Sequence, residues 1–425
     1  MTLGDAVRLA LDKNKAAVAA AEGMQAAGAR VEQARSGKLP KLNYSESFSR
    51  SDNPVFVFSS LLTQHGFAAS NFDLGRLNRP GALNNFQSQV TLDQTVYDGG
   101  QTRERVKSAS LGREMSQEEA RRVRMETIAA AARAYYDAVL AEQNLKTAEQ
   151  AVGSAEADLR RAEAVRGAGM STDVDVLSIR VHLAGVNERR IRSAADLEVA
   201  RAALNDALGL ALDTPHALTT ALSPADLPEI TIDDLERGAA RERPESRQSR
   251  LAASMAESQF ASARAARLPE VSVRAAYEAD RERFVMRGGA NWLASVSLRW
   301  NLFNGFSDKA RADEARHLVR RAEAQAGRTD SEVRLEVRRA YADLRSAEQR
   351  IEVAQAAVAE AEESLRITQN RYEAGMNNVT DLLRNETAAL ESRTRYLAAV
   401  HDQRVAALLV EFAAGRLTAR AEVLN

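Results

Sequence analysis

A pattern that recurs 206 residues further along the chain constrains this fold more than any other feature. Val333, Val337, Ala340, Leu344, Ala347, Ile351, Ala354, Val358, Ala361, Leu365 and Thr368 alternate spacings of four and three. That is the 3.5-residue period of a coiled-coil seam, held over five heptads. Subtracting 206 gives Thr127, Ala131, Ala134, Ala138, Ala141, Leu145, Ala148, Val152, Ala155, Leu159 and Ala162, the same stripe again. The many alanines imply close, shallow helix packing. Other pairs hold the register: Ala168-Gly169-Met170 with Ala374-Gly375-Met376, Tyr97-Asp98-Gly99-Gly100 with Phe303-Asn304-Gly305-Phe306, and Leu208-Gly209 with Ala414-Gly415.

The beginnings of the two halves match at a different offset, 229: Thr2-Leu3 with Thr231-Ile232, and Leu39-Pro40 with Leu268-Pro269. The difference, 229 − 206 = 23, places a 23-residue insertion between Pro40 and Tyr97. Each half then predicts a helix (3–35; broken, 232–267), a strand pair, a very long helix (101–166; 308–373), a turn (167–171; 375–378) and a return helix (to 208; to 414). Gly169 and Gly375 suit positive-φ turn positions. A helix of about 65 residues is about 100 Å long at the standard rise. Only 8 prolines in 425 residues leave room for such lengths.

The strand stretches alternate. Val271, Val273, Ala275, Tyr277 and Ala279 are interleaved with Ser272, Arg274, Glu278 and Asp280, and the returning stretch runs Trp292, Ala294, Val296, Leu298, Trp300, Leu302 against Ser295, Ser297, Arg299 and Asn301. In the first half Phe86, Val90, Leu92 and Val96 alternate with polar residues, and Leu42, Tyr44 and Phe48 form a weaker partner. This dyad pattern fits a membrane barrel with its apolar side outward, and equally a half-buried soluble sheet. Trp292 and Trp300 lie about 26 Å apart on an extended strand, the separation of two interfacial belts. Four strands cannot close a barrel, for which about eight is the minimum, so closure needs several chains.

Composition removes other classes. The 58 basic and 59 acidic residues balance, which argues against a nucleic-acid partner. No apolar run is long enough for a spanning helix. The chain has no cysteine, hence no disulfide, thiolate metal site or cysteine nucleophile. Its five histidines show no metal spacing, and His317 and His401 are expected on solvated helix faces. No phosphate-binding loop, nucleophile elbow or zinc-protease motif occurs, so neither cofactor nor catalysis is expected. Met1-Thr2-Leu3 leads straight into a helical pattern, so an exported chain would have lost its leader before this point.

Two halves, each with a strand pair, a Tyr-Asp-Gly-Gly or Phe-Asn-Gly corner and an Ala-rich hairpin tipped by Ala-Gly-Met, resemble the TolC outer-membrane factor family from Thr2 to Gly415. Arg371-Tyr372-Glu373-Ala374-Gly375 followed by Asp381-Leu382-Leu383 is the other specific part. The resemblance implies an α+β membrane protein of two repeats, with helical coiled-coil hairpins and four strands per chain. Three chains would form a homotrimer with one twelve-stranded barrel in outer-membrane lipid and a periplasmic α-barrel. It implies a passive exit duct, not an enzyme, that docks to a periplasmic adaptor and an inner-membrane pump of RND or ABC type, for efflux or type I secretion. The alternative is a soluble coiled-coil scaffold whose strands form a small sheet.

On this frame residues 1–209 are the first repeat, with a strand pair at 39–97, a long external loop at 49–85 and a tip at 167–175. Residues 210–243 are an equatorial segment, 244–415 the second repeat (strand pair 269–303, tip 374–381) and 416–425 a tail. Val55-Phe56-Val57-Phe58 is unusually apolar for a solvated external loop. The resemblance implies a periplasmic constriction at Tyr372, Asn377, Asp381 and Arg384. Asn377 stands where a basic residue is common, and Arg384 where an acid is. One Asp381 per chain would give a ring of three carboxylates; equally, Asp381 can be a simple helix N-terminal acid. Gly167, Gly169, Met170, Asp173, Asp175, Gly375 and Met376 would dock the adaptor. These tips can also be plain helix turns.

Overall fold

The computed structural model describes residues 1–168, 171–226 and 231–424. In chain order the elements are α1 (Leu3–Lys13), α2 (Lys15–Arg35), β1 (Lys41–Ser51), α3 (Pro54–Thr63), α4 (Leu74–Asn78), β2 (Leu83–Tyr97), α5 (Gln101–Gly167) and α6 (Asp173–Leu208). They continue as α7 (Ile232–Glu242), α8 (Pro244–Ala265), β3 (Glu270–Arg281), β4 (Gly289–Arg299), α9 (Ser307–Glu373) and α10 (Val379–Ala413). The chain forms two compact units. One comprises Met1–Gln25, Met115–Arg250 and Ala324–Asn425, the other Ala26–Glu114 and Leu251–Glu323.

The helical unit is organised by the seam. None of its 22 positions in α5 and α9 is exposed, although half are alanine. Small side chains let the backbones approach, so burial comes from proximity rather than from bulk. The main core gathers α1, α7, the middles of α5 and α9 and the ends of α6 and α10, around the fully buried Tyr135 and Tyr136. Tyr135 keeps its hydroxyl satisfied: it donates to the Met1 carbonyl (2.9 Å) and accepts from the Thr219 and Thr220 amides (3.3 and 3.1 Å). The expected equatorial residues join this core through Leu210, Leu218 and Leu222 and, from the tail, Leu417, Val423 and Leu424.

The repeat extends to backbone detail. Thr2 and Thr231 cap α1 and α7, each accepting from an Asp amide three residues on. The first helix, expected to run unbroken from 3 to 35, is instead interrupted at Asn14. Asn14 is extended (φ −64°, ψ 126°), donates through Nδ2 to the Ala207 carbonyl and accepts the Ala16 amide through Oδ1. Arg243, at φ −63° and ψ 125°, makes the same break before Pro244. Gly209 and Gly415, both near φ +73°, end the return helices against these breaks. A Cβ on Gly209 would stand 2.7 Å from the Lys13 carbonyl oxygen, and one on Gly415 2.8 Å from the Arg243 amide. Arg243 itself is buried but fully partnered, by Glu245, Glu336 and the Phe412 and Ala413 carbonyls, over the Phe412 ring.

The other unit holds one antiparallel sheet in the order β1-β2-β3-β4. The register pairs Leu42 with Leu92, Tyr44 with Val90, Phe48 with Phe86 and Tyr277 with Trp292. Because successive side chains alternate, one face is apolar and bare: Leu42, Tyr44, Trp292 and Val296 are all more than two-thirds exposed. The opposite face is polar and cross-linked: Arg274 Nε meets Asp93 at 2.6 Å, and Gln87 and Gln89 both donate to Glu278. The apolar face carries one ion pair, Arg281 with Glu46 (2.9 Å), joined by Ser88 and Tyr44 and covered by Phe284 over the guanidinium. β4 ends at Arg299 rather than continuing to Leu302, so Trp300 lies just past the strand and donates its Nε1–H to the Arg267 carbonyl. The stretch 49–85 is not an open loop either: it contains α3 and α4.

Candidate gate and charge cluster of the helical hairpins

The second hairpin turns on Gly375, at φ +73°, with the Gly375 amide on the Tyr372 carbonyl (2.9 Å) and the Met376 amide on that of Arg371 (2.8 Å). Left-handed backbone is what allows the helix to stop there. Asn378 then caps α10, accepting the Asp381 amide at 2.8 Å. Asp381 therefore occupies the first turn of α10, where its charge meets the helix dipole favourably. Asn377 is half-buried; Arg384 is exposed one turn further on, and no ion pair joins it to Asp381 among the described residues.

At the first tip α5 runs to Gly167, and Thr172 caps α6 reciprocally with Asp175. The Thr172 amide and hydroxyl both donate to the Asp175 carboxylate (3.1 and 2.8 Å), and these hydrogen bonds hold its pKa below the usual range. Asp173 pairs with Arg166 at 3.2 Å in the open. Gly169 and Met170 lie outside the described residues. Gly375 and Met376 are exposed.

Tyr372 does not stand alone. It packs with Leu159 and Leu383 on a small core of Ala162, Val176, Ile179 and Val379, which joins all four hairpin helices. Burial first, then the nearby Asp175 and Asp158 charges, raise its pKa.

About one to two turns deeper along the hairpins lies a charge cluster that the sequence reading did not single out. The Asp158 side chain is 4 % exposed; it meets Arg161 at 3.6 Å, and Arg161 reaches Glu373 at 2.8 Å. Glu386, itself nearly enclosed, meets His182 Nε2 at 3.2 Å. Burial, a hydrogen bond to Glu386 and its like charge push the Asp158 carboxyl up to about 7. For Glu386 burial acts upward, but the bonds from His182 and Asp158 prevail and lower its pKa. Burial and the neighbouring like charge thus favour the neutral form of Asp158 beside a charged Glu386. Asp158 comes from α5, His182 from α6, Glu373 from α9 and Glu386 from α10. A repeat-based search could not find this group, because the counterparts 206 residues away are Ser364 for Asp158, Ala388 for His182 and Arg180 for Glu386. What could have found it is Asp158 itself, one residue before the seam position Leu159.

His401 is a correction. Its side chain is 12 % exposed, not solvated, with Nε2 at 2.7 Å from Asp137 and Nδ1 at 3.3 Å from Asp402, which also binds Arg350. Burial acts downward, but these two carboxylates outweigh it and raise the imidazole pKa. His317 is exposed, as expected. Among the described residues no cluster of metal-ligating side chains occurs.

Comparison with known proteins bears on the fold and the family. The chain shares its fold with the CmeC outer membrane channel of Campylobacter jejuni (TM-score 0.84, 18 % identity, 99 % of this chain and 87 % of that one). It shares it also with the outer membrane protein VceC of Vibrio cholerae (TM-score 0.79, 18 % identity, 97 % and 96 %). The protein CyaE of Bordetella pertussis is 31 % identical over 372 residues, 85 % of this chain and 76 % of that protein. The sequence matches the family described as outer membrane efflux protein over residues 6–210 and 237–416. The chain belongs to that family. It is an outer-membrane channel for efflux or secretion, with the two-repeat TolC-like fold.

Proposed function

We propose that this chain is one third of a passive exit duct. Three copies close a twelve-stranded barrel in the outer membrane, and their hairpins form a conduit across the periplasm. The observation that carries this reading is the sheet: four antiparallel strands, β1 and β4 left as free edges, and an apolar face left bare. Free edges invite strand addition, and a bare apolar face on paired strands suits lipid. Four strands from each of three chains give the number that closes with a central channel.

The hairpin tips, at Gly167–Asp175 and Gly375–Met376, would dock a periplasmic adaptor that couples the duct to an inner-membrane pump of RND or ABC type. Exposed Gly375 and Met376 and the fixed caps at Thr172 and Asn378 support a rigid, accessible docking end. Asp381 and Tyr372 line the constriction, three of each per assembly. Membrane fractionation with native mass spectrometry in detergent tests the assembly. The protein should be in the outer-membrane fraction and should release as a particle of three chains. A monomer that stays soluble without detergent refutes the reading.

A further inference from the structure

The 23-residue insertion of the first repeat folds into a helix fixed to one face of the sheet. Asn53 caps α3 and Pro54 occupies its first turn. Val57 and Ser60 are buried beneath it. Gln64, just past its end, donates through Nε2 to the Asn84 carbonyl and to Asn85 Oδ1, both at 2.9 Å. Asn85 in turn donates to Asp280 (2.7 Å), and Asn291 donates to the Thr63 carbonyl (3.1 Å). Gly289 allows the closest approach: a Cβ there would stand 2.0 Å from the Thr63 carbonyl oxygen.

By the strand register, Asn85, Asp280, Gly289 and Asn291 lie on the polar face, with Gln87, Gln89 and Glu278. In a barrel whose apolar face meets lipid, that face is the inside, and these residues are at the loop ends of the strands. α3 is therefore mounted on the inner wall at the outer mouth. Yet the side it turns away from the wall is apolar: Val55, Phe58 and Leu62 are 77, 36 and 48 % exposed, at helical spacings of three and four. Phe58 continues into Phe67 and Phe72 by ring contacts of 4.9 and 5.1 Å.

We propose that the Val55–Phe58–Leu62 stripe is a contact surface for the same helix of the other two copies, so that three α3 helices plug the outer mouth of the barrel. The inference rests on the three-chain barrel. Twelve strands about 4.8 Å apart, tilted about 40°, make a barrel about 24 Å across. A helix with its side chains is about 10 Å wide, so three packed around the axis span about 22 Å and fill a mouth of that width. An apolar stripe there is buried by its own copies, and a ring of such residues excludes water and ions.

The chain contains no cysteine, so one introduced thiol is unique. Val55→Cys, Phe58→Cys and Leu62→Cys are each purified as the assembly and mildly oxidised, with Trp292→Cys on the apolar face as the control. Three helices packed about an axis bring equivalent Cα atoms within the roughly 4.4–6.8 Å that a disulfide spans, at least at one of these positions. A two-chain, reductant-sensitive band is expected from at least one stripe variant and not from Trp292→Cys. Intact three-chain particles without that band in any stripe variant, or with as much from the control, overturn the plug alone. Absence of three-chain particles in the unsubstituted protein overturns the barrel, and the plug with it.

Discussion

At the scale of single residues, the distinctive chemistry is a proton rather than a ligand. Asp158 is an acid whose folded pKa is raised from 3.8 to about 7, so its contribution to stability is full below the unfolded value and is lost as pH rises through 7. Ionising it would leave two adjacent carboxylates in an enclosed place, faced by Arg161 and His182. Asp158→Asn keeps the hydrogen bond to Glu386 without the proton. Its thermal midpoint should change less than that of the unsubstituted protein between about pH 4.5 and 7.5, where the one extra proton of the folded state gives a slope of at most about 1.4 kcal/mol per pH unit. His401, whose pKa is also raised, loses its contribution in the same direction, so the informative quantity is the difference between the two proteins. Equal pH slopes would show that Asp158 is ionised throughout. Neither group was legible in advance: both depend on helices brought together from opposite repeats, and the sequence stripe records only apolar positions.

At the scale of elements, the repeat was legible because helix period, glycine turns and strand alternation are local properties. The seam positions and the Gly375 turn stand where the pattern puts them, and the matched pair Thr2 and Thr231 prove to be the caps of α1 and α7. The break at Asn14 was not visible, because it comes from tertiary packing: Gly209 presses its backbone against Lys13 and Asn14. Its counterpart at Arg243 was visible because a proline, Pro244, follows it and disfavours helical backbone at the residue before. Gly209→Ala should lower stability by more than about 1 kcal/mol, since left-handed backbone and a close carbonyl both oppose a Cβ. Gly153→Ala, in a helix with open space around it, should be neutral or stabilising in the same thermal melt. The insertion shows the same limit. Its length and its apolar run could be read, but not the polar anchors from Gln64 and Asn291 that decide which face of the sheet it covers.

At the scale of the whole molecule, the proposed assembly accounts for the surfaces that a single chain leaves open. Its sheet has two free edges, its apolar strand face is bare, and its second hairpin ends in an exposed turn at Gly375 and Met376. Each is a cost to a solitary chain and a contact in a barrel of three. The measurement that tests this most directly is current through a planar bilayer carrying the purified three-chain particle. Discrete, ohmic steps are expected without any energy source once α3 is deleted, with a cation preference that falls when Asp381→Asn is added and the ring of three carboxylates is neutralised. A three-chain particle that inserts yet passes no current, in the unsubstituted protein and with α3 deleted, would contradict the duct.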